Sequence, residues 1–137
     1  MNVPINYVGV LLAALSAMVL GFLWYSPMLF GNTWMKLTGI TKKDMTAKKK
    51  QMPVTYGGMF ITALITAYVL AHILYFSGAQ TVSMGLQGGF WVWLGFVATV
   101  LFGSVLFEGK PIKLFFINAG YHLVNLLAMG VILVLVK

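Results

Sequence analysis

The chain has 137 residues, 61% of them hydrophobic and 8% charged, with a net charge of +7. A soluble domain carries about 25% charged residues, and covering its surface takes far more polarity than nine lysines and two acidic residues supply. An ordinary water-soluble domain is therefore excluded, and the lack of cysteine excludes thiol catalysis, disulfides, iron–sulfur clusters and cysteine-bound zinc.

Crossing a hydrocarbon core of about 30 Å takes about 20 apolar residues in a helix, because backbone polar groups must be satisfied within the segment. Four such stretches, near residues 5–25, 54–76, 86–107 and 111–136, predict an all-α, polytopic membrane protein. They form one transmembrane domain over residues 1–137, with the four helices in a bundle and a basic loop at 28–52. The first span contains Ala14-Leu15-Ser16-Ala17, small residues of the kind found at signal-peptide cleavage sites. It lacks a basic leader and stays apolar through Phe22-Leu23-Trp24-Tyr25, so it reads as a retained helix. Gly9, Ala13, Ala17 and Gly21, four apart, form a small-residue ridge suited to close helix packing.

The loop that follows carries Lys36, Lys42, Lys43, Lys48, Lys49 and Lys50 with Asp44. Thr41-x-x-Asp44 predicts a capping box opening a short helix through Lys50, and Asn32 or Thr33 a cap for another turn closed by Gly39. Lys42, Lys43, Lys48, Lys49 and Lys50 are candidates for contact with anionic lipid headgroups, each contributing about 1 kcal/mol near a membrane surface. The second span offers a ridge of Ala63, Ala67 and Ala71 and an aromatic stripe of Tyr68, His72 and Tyr75, in which His72 reads as an interfacial side chain. The link at 77–85 has no charge.

In the third span Gly95, Thr99 and Gly103 make a third ridge. Glu108 ends that span, with Lys110 and Lys113 beyond it and Pro111 at the first position of the fourth helix. Lysines on two alternate loops and none between them follow the positive-inside rule, which puts both charged loops in the cytoplasm and both termini outside. Lys137 is a single charge against that trend. The absence of arginine argues against nucleic-acid readout.

The fourth span differs from the others. Asn118, Tyr121, His122 and Asn125 fall at i, i+3, i+4 and i+7 and make one polar stripe on an apolar helix. Such a stripe belongs against protein or a cavity, where it either specifies packing or holds a ligand or solute. Counting inward at about 1.5 Å per residue sets Ser16, Thr62, Thr66, Thr99 and His122 at one depth, a polar belt near the midplane. His122 and Glu108 are the groups through which any coupling to protons or cations would run. Two histidines at different depths, without cysteine or an intramembrane carboxylate, make a poor metal site, so no metal or cofactor is expected.

Leu20-Gly21-Phe22 recurs as Leu94-Gly95-Phe96, and Leu29-Phe30 with Lys36-Leu37 recurs as Leu106-Phe107 with Lys113-Leu114. One helix separates the copies, which predicts a parallel two-helix repeat. Trp24-Tyr25-Ser26-Pro27, Leu29-Phe30-Gly31, Trp34-Met35, Leu106-Phe107-Glu108-Gly109-Lys110 and Ile117-Asn118-Ala119-Gly120-Tyr121 resemble the signature stretches of domain-of-unknown-function family 1761. That resemblance covers nearly the whole chain and implies a small bacterial four-helix membrane protein, with no activity attached.

Three functional classes remain. An enzyme is disfavoured, because no nucleophile, base and orienting acid occur together. A small lipid-binding or assembly protein, self-associating in the bacterial inner membrane, needs only apolar helices, interfacial tryptophans and a lysine cluster, and is the expected function. The alternative is a small-solute or ion carrier built on the polar stripe of the fourth helix.

Overall fold

A computed structural model describes residues 2–137, which are helical wherever they are regular. The helices are α1 (Tyr7–Trp24), α2 (Gly31–Thr38), α3 (Lys42–Ala47), α4 (Met52–Phe76), α5 (Val82–Val92), α6 (Thr99–Glu108) and α7 (Ile112–Leu135). A 3₁₀ turn at Lys49–Gln51 leads into α4, and a π-helical turn at Trp93–Ala98 joins α5 to α6 without a break. Four helical stretches, Tyr7–Trp24, Lys49–Phe76, Val82–Glu108 and Ile112–Leu135, are long and apolar enough to cross a membrane.

Local chemistry sets the ends. The Asn6 side chain accepts from the Val8 N–H at 3.0 Å and opens α1. The capping box at α3 is complete: the Asp44 N–H donates to Thr41 Oγ1 at 3.2 Å and the Thr41 N–H to Asp44 Oδ2 at 2.9 Å. Those backbone and side-chain bonds hold the Asp44 carboxyl below the ordinary carboxylate value. Gly39 closes α2 and Gly109 closes α6, both left-handed at φ 76° and 65°, where a side chain would be strained.

Several boundaries depart from the sequence reading, beginning with α3, which ends at Ala47 and gives way to the 3₁₀ turn at Lys49–Gln51 instead of running through Lys50. The third long helix starts at Val82, four residues before Leu86, because Thr81 Oγ1 caps it by accepting from the Met84 N–H at 3.2 Å. Helix α2 begins at Gly31 with no side-chain cap, so Asn32 and Thr33 lie inside it. Pro111 is the residue before α7 rather than its first.

Helix α7 is the most enclosed of the long helices, buried along 44% of its most apolar stretch against 6% for the third. It packs against α1, α4 and α5. The closest approach is with α5: a Cβ on Gly85 would sit 2.5 Å from the Gly130 carbonyl oxygen, and one on Gly89 2.5 Å from that of Leu126. Gly85-x-x-x-Gly89 thus lies directly on the α7 backbone, the small-residue crossing that lets dispersion contacts form in lipid. Ala13, Ala14 and Ala17 of α1 meet Ala63, Ala67 and Leu70 of α4 and Leu126 and Met129 of α7 in the shared core. Of the expected ridges, Gly9, Ala13, Ala17 and Gly21 are buried, as are Ala63 and Ala67, with Ala71 half-buried. Gly95 and Gly103 are different, since a Cβ on either would have nothing of this chain within 4 Å.

Candidate functional site

Two tryptophan N–H groups fix the first third of α7 to its neighbours. Trp24 Nε1 donates to the Ile117 carbonyl and Trp93 Nε1 to that of Ala119, each at 2.8 Å. Between them, Tyr25 Oη donates to Asn118 Oδ1 at 2.7 Å, and one turn on, Tyr121 Oη donates to the Ala17 carbonyl at 2.9 Å. Gly21 lets the Tyr121 ring lie against α1, with its hydroxyl 3.2 Å from where a Cβ would be. Tyr25 completes the cluster, with ring centroids 5.8 Å from Trp34 and 5.6 Å from Tyr121. The motif residues 24–34 and 117–121 therefore meet across α1, α2 and α7.

This arrangement divides the polar stripe. Asn118 and Tyr121 are bonded to Tyr25 and to Ala17 of α1, whereas His122 and Asn125 have no such bond and, with the Tyr121 ring, line a cavity of about 390 Å³. Its wall on the α4 side is Met59, Thr62 and Thr66; on the third long helix, Val92 and Val97; on α1, Ala17 and Met18. Tyr121, His122, Asn125 and Leu126 complete it from α7. Asn125 is 7% exposed, and its carbonyl oxygen is buried with no hydrogen-bond partner. An unpaired buried carbonyl costs about 1–3 kcal/mol, so native proteins rarely keep one without a reason.

The rest of the expected belt separates. Thr62 and Thr66 reach the cavity, their hydroxyls donating to the Met59 and Thr62 carbonyls at 2.8 and 2.9 Å. Ser16 and Thr99 do not line it and bond their own helices, to the Ala13 and Gly95 carbonyls, each at 2.8 Å. Glu108 is exposed at the end of α6, away from the cavity. His72 Nδ1 lies 2.9 Å from the Tyr68 carbonyl and its ring 4.6 Å from that of Tyr68, so this histidine is absorbed locally. No group of three or more His, Asp or Glu that could hold a metal occurs among the described residues. Lys42, Lys43, Lys48, Lys49 and Lys50 are all exposed around α3 and the turn after it.

A second cavity, about 340 Å³, lies near the opposite end between Ile5, Leu74 and Val134. Part of its polar lining is paired: Lys137 Nζ donates to the Ala79 carbonyl at 2.8 Å and to Gln80 Oε1 at 3.0 Å, and Asn6 caps α1, while Tyr75 adds a hydroxyl. The cavity at His122 and Asn125 is the one lined by a residue whose polar oxygen is buried and unpaired. Periodicity in the sequence marks these two residues, but not Met18, Met59, Val92 or Val97, which look like any other apolar helix positions. Nor does it mark the π turn, which has no compositional signal and begins at the hydrogen-bonded Trp93.

Helices of this length and apolarity, an α7 held by side-chain bonds from α1 and the third long helix, and a polar-floored cavity define an all-helical protein with four candidate membrane-crossing segments. Residues 8–134 match the family described as protein of unknown function (DUF1761), and the chain belongs to that family. No curated protein and no solved structure matches it.

Proposed function

We propose that this chain is a non-enzymatic protein of the bacterial inner membrane, a four-helix bundle that binds a small ligand in the cavity floored by His122 and Asn125. The single observation carrying this reading is the Asn125 carbonyl oxygen, buried and unpaired in a residue that lines the cavity. The volume falls in the range of about 300–1,000 Å³ typical of small-molecule sites, with mostly apolar walls and few polar groups. His122 and Tyr121 are the titratable groups in the lining, with no carboxylate or serine beside them, which favours holding a ligand over transforming one. Binding, rather than packing alone, is therefore the reading the geometry supports best, and carriage of a small solute is its natural extension.

The test is native mass spectrometry of the protein released from its membrane, with His122→Leu and Asn125→Leu. The reading expects a small molecule to travel with the wild-type chain and to be lost from both variants, with thermal stability unchanged or raised. Retention of the same molecule by both variants overturns it, as does a wild-type chain that carries nothing.

Two further parts of the reading have their own support. The exposed lysines of the 42–50 segment suit the negative surface potential of a cytoplasmic leaflet, which supports a topology with that end inside and both termini outside. Self-association is favoured by the face of Gly95, Thr99 and Gly103, with open space over both glycines.

A further inference from the structure

Granting the binding site just proposed, we infer that its ligand is an uncharged lipid-like molecule bearing a hydroxyl group, which reaches His122 and Asn125 sideways from the bilayer through the gap between α4 and the third long helix.

Charge is the first argument. No lysine, aspartate or glutamate lines the cavity, so neither sign of formal charge would meet a counter-ion there. At about 1.5 Å per residue, His122 lies ten residues into α7 and Thr62 ten residues into α4, roughly 15 Å from the lysine-rich end in both cases. At that depth an unpaired charge is expensive and a neutral group is not. Hydrogen-bonding capacity is the second argument. A carboxamide and an imidazole each carry donor and acceptor capacity, and a hydroxyl both gives and accepts. An ether, ester or ketone alone could use the donor faces of these side chains but would leave the acceptor faces unserved.

The direction of access follows from which walls are open. Met59, Thr62 and Thr66 are exposed on the flank of α4, while Asn125 and Leu126 behind them are buried. Helix α4 meets the third long helix through α5 and makes no comparable contact with the π turn or α6. Beside them, Phe96 and Val100, at 73% and 71% exposed, present an apolar surface where lipid chains lie. A hydrocarbon tail can therefore stay in the bilayer along Met59 and Val97 while its polar end reaches the floor.

The full-length protein in phosphatidylcholine nanodiscs is to be irradiated with three probes sharing one sixteen-carbon chain and a mid-chain diazirine. They end in a primary alcohol, a carboxylate or a trimethylammonium group. The alcohol is expected to label residues 59–66 or 122–126 saturably, at least tenfold above either charged probe. Asn125→Leu is expected to lower that labelling at least fivefold. Thr66→Trp fills the mouth from an exposed position without touching the floor, and is expected to do the same. Equal labelling by a charged probe overturns the neutral-ligand inference while leaving the site. Undiminished labelling in Thr66→Trp overturns the lateral route. The absence of saturable labelling by all three probes overturns the inference together with the site, as for a cavity filled by water only.

Discussion

Asn118 and Asn125 sit two turns apart on one helix face with the same side chain, yet their surroundings are opposite. Asn118 accepts from Tyr25, whereas the Asn125 oxygen has no partner. Removing the first kind of polar contact should cost stability and removing the second should not. Tyr121→Phe, which deletes the bond to the Ala17 carbonyl, is expected to destabilise by about 0.6 kcal/mol, the average for interhelical hydrogen bonds in membranes. Asn125→Leu is expected to be neutral or stabilising by about 1 kcal/mol, since it removes an unpaired buried group. Unfolding in mixed micelles measures both, and the opposite order would make Asn125 a packing residue. The i, i+3, i+4, i+7 spacing groups all four stripe residues and is blind to this division. What separates them is the rotation of α7 against α1, set by Trp24, Tyr25 and Gly21 about a hundred positions away in sequence.

At the scale of the helices, small residues act only where another backbone reaches them. A methyl on Gly85 would collide with the α7 backbone, so Gly85→Ala is expected to cost about 1–3 kcal/mol, the range for overpacking. Gly95→Ala meets open space and is expected to be close to neutral within one chain. If Gly95→Leu lowers the apparent mass in detergent without unfolding the protein, the exposed face joins copies; an unchanged mass rules that face out. Legibility in the sequence follows the same line. Hydropathy alone marks the four long helices, because each must be apolar over about 20 residues to cross a bilayer. The α5–α7 crossing is not marked, since Gly85, Gly89, Gly95 and Gly103 are equally glycine and only tertiary contact distinguishes them. Among the short elements, the Thr41–Asp44 box is legible because its bonds are local. Its pH dependence can be given a sign: with the Asp44 carboxyl depressed, the cap is intact above the ordinary carboxylate value of about 4 and is lost as pH falls below it. Protection of the Thr41 and Asp44 amides, taken relative to the intrinsic exchange rate at each pH, should fall only in that acidic window, and a fall in protection between pH 5 and 7 would contradict the cap.

For the molecule as a whole, orientation and site are linked through the lysines. If the 42–50 segment is cytoplasmic, a cysteine placed at Lys48 should resist a membrane-impermeant thiol reagent in intact cells and one at Ser83 should react; the reverse pattern would invert the topology. Depth along α4 and α7 then puts the mouth at Thr62 and Thr66 near the midplane, reached from the cytoplasmic half of the bilayer. A scaffold with no ligand has no need of a roomy cavity at that level, because α4 closing onto the third long helix would bury more surface and cover Asn125. The most direct test of the central claim is a high-resolution electron cryomicroscopy map of the protein extracted in native lipid nanodiscs, with a bound antibody fragment for alignment. The account predicts non-protein density within hydrogen-bonding distance of the Asn125 carboxamide and the His122 imidazole, continuous with the bilayer past Thr66. A closed cavity, with the Asn125 oxygen bonded to a protein donor, would contradict it.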